Sequence, residues 1–98
     1  MQDLIASKKR CARVAAILKT LAHPQRLFLL CRLAKGEATG SELRDASGAS
    51  QSLISQHLTR MRREGIVAAR RDGSFVHYRI VDPRLSALIM EMEKTFNE

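Results

Sequence analysis

Between Thr39 and Gly65 the chain opens and closes two helices with almost nothing between them. Thr39-Gly40-Ser41-Glu42 has capping-box spacing: the threonine hydroxyl accepts from one unpaired amide while the glutamate carboxylate reaches back to another. The short helix so opened, Ser41–Ala46, is closed by Gly48. Ser50 then N-caps a second helix, Gln51–Glu64, and Gly65 stops it. Two helices joined by so brief a Ser/Gly turn predict a helix-turn-helix.

The same punctuation parses the flanks. Residues 3–21 predict a helix, with Leu4, Cys11, Val14, Leu18 and Leu21 at near-helical spacing. His23-Pro24 restarts the chain, proline being suited to a first helical position, and the next helix runs to about Lys35 before Gly36. It places Leu27, Leu30, Cys31 and Ala34 on one face. Past Gly65 the period turns from helical to alternating. Ile66–Arg71 and Phe75–Val81 read as strands about an Asp72-Gly73-Ser74 turn. In the second strand Val76, Tyr78 and Ile80 share a packing face, and His77 and Arg79 a polar one. Asp82-Pro83 starts a last helix with an apolar stripe of Leu85, Leu88, Ile89, Met92 and Phe96. The predicted fold is mainly α with a small β-hairpin, in the order α-α-α-α-β-β-α. It is a single winged helix-turn-helix domain over residues 1–98, with helices added at both ends.

Charge points to the partner. Lys and Arg number 17 against 10 Asp and Glu, a net +7, which favours nucleic acid first and an anionic membrane surface second. Residues 50–79 hold six arginines against Glu64 and Asp72, whereas 82–98 hold Asp82, Glu91, Glu93 and Glu98 against Arg84 and Lys94. The middle of the chain is thus the expected binding surface. No apolar run reaches the ~18 residues of a membrane span, and the first residues lack a signal-peptide pattern. Two cysteines are too few for a disulfide scaffold, so the expected compartment is the cytoplasm, with no membrane partner.

Projected at 100° per residue, Ile54, Leu58, Met61 and Gly65 fall together on the core side of the helix after Ser50. Ser52, Gln56, Thr59 and Arg63 lie opposite, flanked by Ser55, Arg60 and Arg62. That face suits a helix whose first half meets base edges in the major groove while its last arginines contact phosphate. Gln can bond an adenine edge bidentately and Ser either base type. The expected DNA-binding set is Gln51, Ser52, Ser55, Gln56, Thr59, Arg60 and Arg63 from the helix, with Arg70, Arg71 and Ser74 from the hairpin. His57 falls on the core-side edge and reads as a packing or phosphate-contacting residue.

Ser50–Val67 (SQSLISQHLTRMRREGIV), followed by RRDGSFVHYRI, resembles the ArsR/SmtB family of bacterial winged-helix repressors. LKTLAHPQRLFLL at Leu18–Leu30 matches that family's lead into its second helix, so the resemblance spans about residue 14 to residue 81. It implies a homodimer built from the first and last helices (3–21 and 83–96), a palindromic duplex operator, and release by an inducer. Residues Leu85, Leu88, Ile89, Met92 and Phe96 are then the expected dimer interface.

The family's metal sites do not map onto this chain. The thiolate site needs a cysteine where Glu42–Asp45 has none, and the last-helix site puts Arg84 and Thr95 where both histidines belong. Two carboxylates without imidazoles make a poor zinc site, so neither metal nor cofactor is expected. Leu29-Leu30-Cys31 resembles the family's redox-responsive, reactive-sulfur branch, but Phe96 is followed by Asn97 where the second thiol belongs. Cys31, with Cys11 as a substitute partner, is therefore a candidate thiol sensor. Both also sit at core-compatible phases. A non-standard metal site, and a regulator with no small-molecule sensor of its own, stay open as alternatives.

Other classes fit less well. An RNA or single-strand binder needs exposed stacking aromatics, and Phe28, Phe75, Tyr78 and Phe96 fall mostly at packing positions. No nucleophile–base pair or Gly-rich phosphate loop suggests an enzyme. A pure protein-interaction domain would leave the arginines of the helix and hairpin unexplained.

Overall fold

The computed structural model describes residues 7–97. Five helices and a three-stranded antiparallel sheet follow in the order α1 (Lys8–Leu21), α2 (Pro24–Ala34), β1 (Ala38–Thr39), α3 (Gly40–Ser47), α4 (Gln51–Arg63), β2 (Val67–Asp72), β3 (Phe75–Ile80) and α5 (Pro83–Thr95). The mainly helical winged architecture is as expected, with two adjustments. The first helix begins at Lys8, because Ser7 is extended (φ −119°) and its side chain accepts from Arg10 N. Residues 3–6, including Leu4, lie outside the described residues. The second adjustment is β1, an unforeseen strand that pairs with β3 and gives the sheet order β1-β3-β2.

Local chemistry sets the boundaries. Thr39 Oγ1 accepts from Glu42 N at 3.1 Å while Glu42 Oε1 accepts from Thr39 N at 2.9 Å, so the capping box forms in full. Thr39 also ends β1, so one residue couples the sheet edge to the start of α3. Gly48, at φ 69°, turns the chain out of α3 in the left-handed region, and its N–H donates to Arg44 O. Ser50 Oγ then accepts from Leu53 N at 3.2 Å to start α4. At the wing, Asp72 pairs with Phe75 across Gly73-Ser74. Gly73 has φ 62°, a positive value at the first loop position as a type II′ hairpin demands.

The core gathers around α2. Leu29, Leu30 and Leu33 of α2 are buried with Leu43 of α3, Ile54, Leu58 and Met61 of α4, Val67 of β2, and Leu85 and Ile89 of α5. Full burial of such side chains contributes about 1.5–3 kcal/mol each. The Ile54–Leu58–Met61 row therefore fixes which face of α4 is left to solvent. Helix α1 is less committed: only Thr20 and Leu21 are buried, and Leu18 is 48% exposed.

Candidate nucleic-acid interface

With its apolar row locked inward, α4 turns the opposite face outward. Ser52, Ser55, Gln56, Thr59, Arg60 and Arg63 are exposed along one shallow surface. Arg60, Arg62 and Arg63 occupy the last turn of α4, where cations also complement the helix dipole. Arg60 lies 3.9 Å from Glu64. The N-terminus of α4 shares a polar cleft with α3 and the wing, where Gln51 and Ser55 meet Ser41, Arg44 and Ser74. Ser41 and Arg44 were not foreseen as site residues. Their i, i+3 spacing on α3 places both on one face, and that signal was present in the sequence.

The two wing arginines diverge. Successive strand residues point to opposite faces. Arg70 Nη2 donates to Glu37 Oε1 at 2.6 Å and its Nη1 lies 3.9 Å from Asp72. Glu37 also has His77 Nδ1 at 3.7 Å, and the Arg70 hydrogen bond holds its carboxyl below the usual range. Arg71 is exposed and makes no ion pair among the described residues. His57 packs inward, 8% exposed, against His23 and Arg26.

The apolar stripe of α5 divides. Leu85 and Ile89 are buried in the protomer's own core, so they are not surface residues as the dimer expectation required. They lie at i, i+4 on the side facing α2. Met92 is half-buried against the same core. Leu88 (41%) and Phe96 (73%) remain exposed. Leu88 shares a groove with Val14 and Ile17 of α1. Three of the four aromatics are likewise more exposed than expected, namely Phe28, Phe75 and Phe96. Phe28 lies in α2, Phe75 in β3 and Phe96 at the C-cap of α5, rather than forming a row for stacked bases.

Cys11 of α1 and Cys31 of α2 are both partly exposed. Cys31 faces a cleft between α2 and α5 with Leu27, Ile89, Met92 and Glu93. Burial first, and then the Glu93 carboxylate, push its pKa up to about 11. Arg84, which the resemblance set where a histidine of the family's last-helix metal site belongs, is committed to Asp82, Nη2 to Oδ2 at 2.8 Å. Asp82 Oδ1 also accepts from Arg84 N at 2.9 Å to cap α5.

A family model described as bacterial regulatory proteins of the arsR family matches residues 23–69, from the N-cap of α2 into β2. The chain is 41% identical over 93 residues to the biofilm growth-associated repressor of Agrobacterium fabrum, covering 95% of this chain and 80% of that protein. The chain belongs to the arsR family. It is a winged helix-turn-helix transcriptional regulator. The crystal structure of the transcriptional repressor BigR from Xylella fastidiosa superposes with a TM-score of 0.88 at 36% identity, covering 97% of each chain. A homodimeric winged helix-turn-helix DNA-binding domain from Mycobacterium bovis matches with a TM-score of 0.78 at 30% identity, covering all of this chain and 89% of that one. Among the described residues, no helix of this arsR-family protein is long and apolar enough to cross a membrane.

Proposed function

We propose that this protein binds a palindromic duplex operator as a homodimer in the cytoplasm and represses transcription there. The observation that carries the reading is the meeting of three elements at one surface. The outward face of α4, the polar side of α3 and the wing residue Ser74 converge, with exposed Arg71 further along the wing. Gln56 and Ser55 read base edges, Gln51, Ser52 and Thr59 support them, and Arg60, Arg63 and Arg71 bind phosphate. Arg70 belongs to the wing's own structure through Glu37. The pairing of two protomers is supported by the exposed Leu88, Phe96 and Leu18 and by the homodimeric Mycobacterium bovis relative.

Selection of bound sequences from random duplex DNA tests the reading. A symmetric consensus, with footprints one helical turn (about 34–36 Å) or a whole multiple apart, supports it. Recovery of unrelated sequences contradicts it. An inducer acting through thiols is less well supported. At a pKa of about 11 only about one Cys31 in ten thousand is thiolate at neutral pH, and the thiolate is the reactive form. These surroundings favour a regulator whose Cys31 is a packing residue.

A further inference from the structure

His57 follows Gln56 on α4, yet it is 8% exposed. Its Nδ1 accepts from Arg26 Nε of α2 at 3.4 Å, and its ring lies against His23, centroids 4.7 Å apart and planes tilted by 59°. His23 is itself the N-cap of α2, its Nδ1 accepting from Gln25 N at 3.2 Å. A guanidinium only donates, so Nδ1 of His57 is unprotonated and the one ring hydrogen sits on Nε2. That Nε2 is buried and has no hydrogen-bond partner among the described residues. An apolar side chain would pack here without leaving a donor unpaired, so packing alone does not account for an imidazole.

We propose that neutral His57 is a positioning residue for DNA recognition, clamping α4 to the N-terminus of α2 and so setting the angle at which Gln56 and its neighbours are presented. The proposal rests on the DNA-reading role of α4. Gln56 and Arg60 lie to one side of His57 on the helical wheel, about 100° and 60° from it, so a small rotation of α4 about this contact displaces the reading face with it.

Protonation removes the acceptor at Nδ1, ends the Arg26 bond and creates a cation among other cations. The titratable and charged groups acting on His57 are His23 ahead of α2, Arg26 on α2 and Arg60 one turn along α4. Burial, then repulsion from His23, Arg26 and Arg60, holds its pKa below the usual imidazole range, so the clamp is intact at neutral pH. The unfolded chain takes up this proton before the folded one. Stability is therefore complete above about pH 6.5 and declines as pH falls from there towards the folded pKa.

The test compares affinity for a duplex selected by the wild type with affinity for a random-sequence duplex, from about pH 7.5 to about pH 5 at constant ionic strength. His57→Asn offers Oδ1 where Nδ1 stood and does not titrate, while His57→Leu fills the space without an acceptor. The wild type is expected to lose about twofold or more in the selected-to-random ratio by the acid end of this range, and His57→Asn to hold it nearly constant. His57→Leu is expected to show a lowered ratio already at about pH 7.5, with random-duplex affinity kept within about twofold. Thermal melts register folding, and the His57→Asn profile decides alone should His57→Leu not fold. A His57→Asn ratio that falls in parallel with the wild type would overturn the proposal, as would a folded His57→Leu with an undiminished ratio. The wild-type preference at neutral pH bears on the reading of α4 itself. Its change with pH and with His57 bears on the clamp.

Discussion

Arg70 and Arg71 carry the same charge one residue apart, and β2 sends them to opposite faces. Arg70 is already engaged by Glu37 and Asp72, whereas Arg71 makes no ion pair among the described residues. Arg71→Ala is therefore expected to weaken binding to every duplex about equally and to reduce the log–log salt slope by about 0.9 for each protomer, about 1.8 for a bound dimer. Arg70→Ala should leave both near wild type and loosen the wing by no more than about 1 kcal/mol, as exposed ion pairs do. Parallel salt titrations separate them, and equal losses would return Arg70 to the interface. The sequence showed two arginines flanking a turn, but the Arg70–Glu37 pairing joins residues 33 apart and leaves no local trace. Cys31 was likewise visible as a thiol on a helix, while what raises its pKa, burial first and then the Glu93 carboxylate of α5, comes from packing between distant segments. Native alkylation near neutral pH should modify Cys31 at least about tenfold more slowly than the denatured chain, and Glu93→Gln should speed it. Equal rates in native and denatured protein would remove the case for an inert Cys31.

Among the elements, α3 and α4 were the most legible because chemistry marks their ends. The capping box at Thr39, the turn at Gly48 and the cap at Ser50 stand where the sequence placed them. Gly48→Ala isolates one of these signals. An added Cβ meets nothing within 4 Å, so the cost is backbone strain alone, about 1–2 kcal/mol. Calorimetry should show Tm falling by roughly 4–8 °C for each kcal/mol, and an unchanged Tm would contradict this origin. Strand β1 was not legible. Two residues are too few to display a period, and Ala38 and Thr39 find their partners, Tyr78 and His77, far along the chain. The stripe on α5 was legible as a stripe but not in its direction. Helical spacing groups Leu85, Leu88, Ile89, Met92 and Phe96, and only packing against α2 shows that Leu85 and Ile89 are consumed within the protomer.

At the scale of the whole molecule, the proposed function asks one small core to support two interfaces. The cationic middle of the chain builds α4 and the wing, whereas α5 balances Glu91 and Glu93 against Arg84 and Lys94. Exposed Leu88 of α5, Phe96 at its C-cap and Leu18 of α1 offer the apolar surface on which a second copy would pair. Leu88→Glu leaves the core row of Leu85 and Ile89 untouched and should give a folded monomer by sedimentation. That monomer should lose about 100-fold or more in operator affinity, since a dimer engages its second half-site intramolecularly. Full affinity in a folded monomer would defeat the dimer. The central claim, that α4 reads duplex sequence, is tested most directly by titrating wild type and Gln56→Ala against the selected duplex and a scrambled one at several salt concentrations. The wild type should prefer the selected duplex, both affinities should fall as salt rises, and Gln56→Ala should lose about 1–3 kcal/mol on the selected duplex alone. Indifference of the wild type to sequence, or wild-type binding of the selected duplex by Gln56→Ala, would contradict the account.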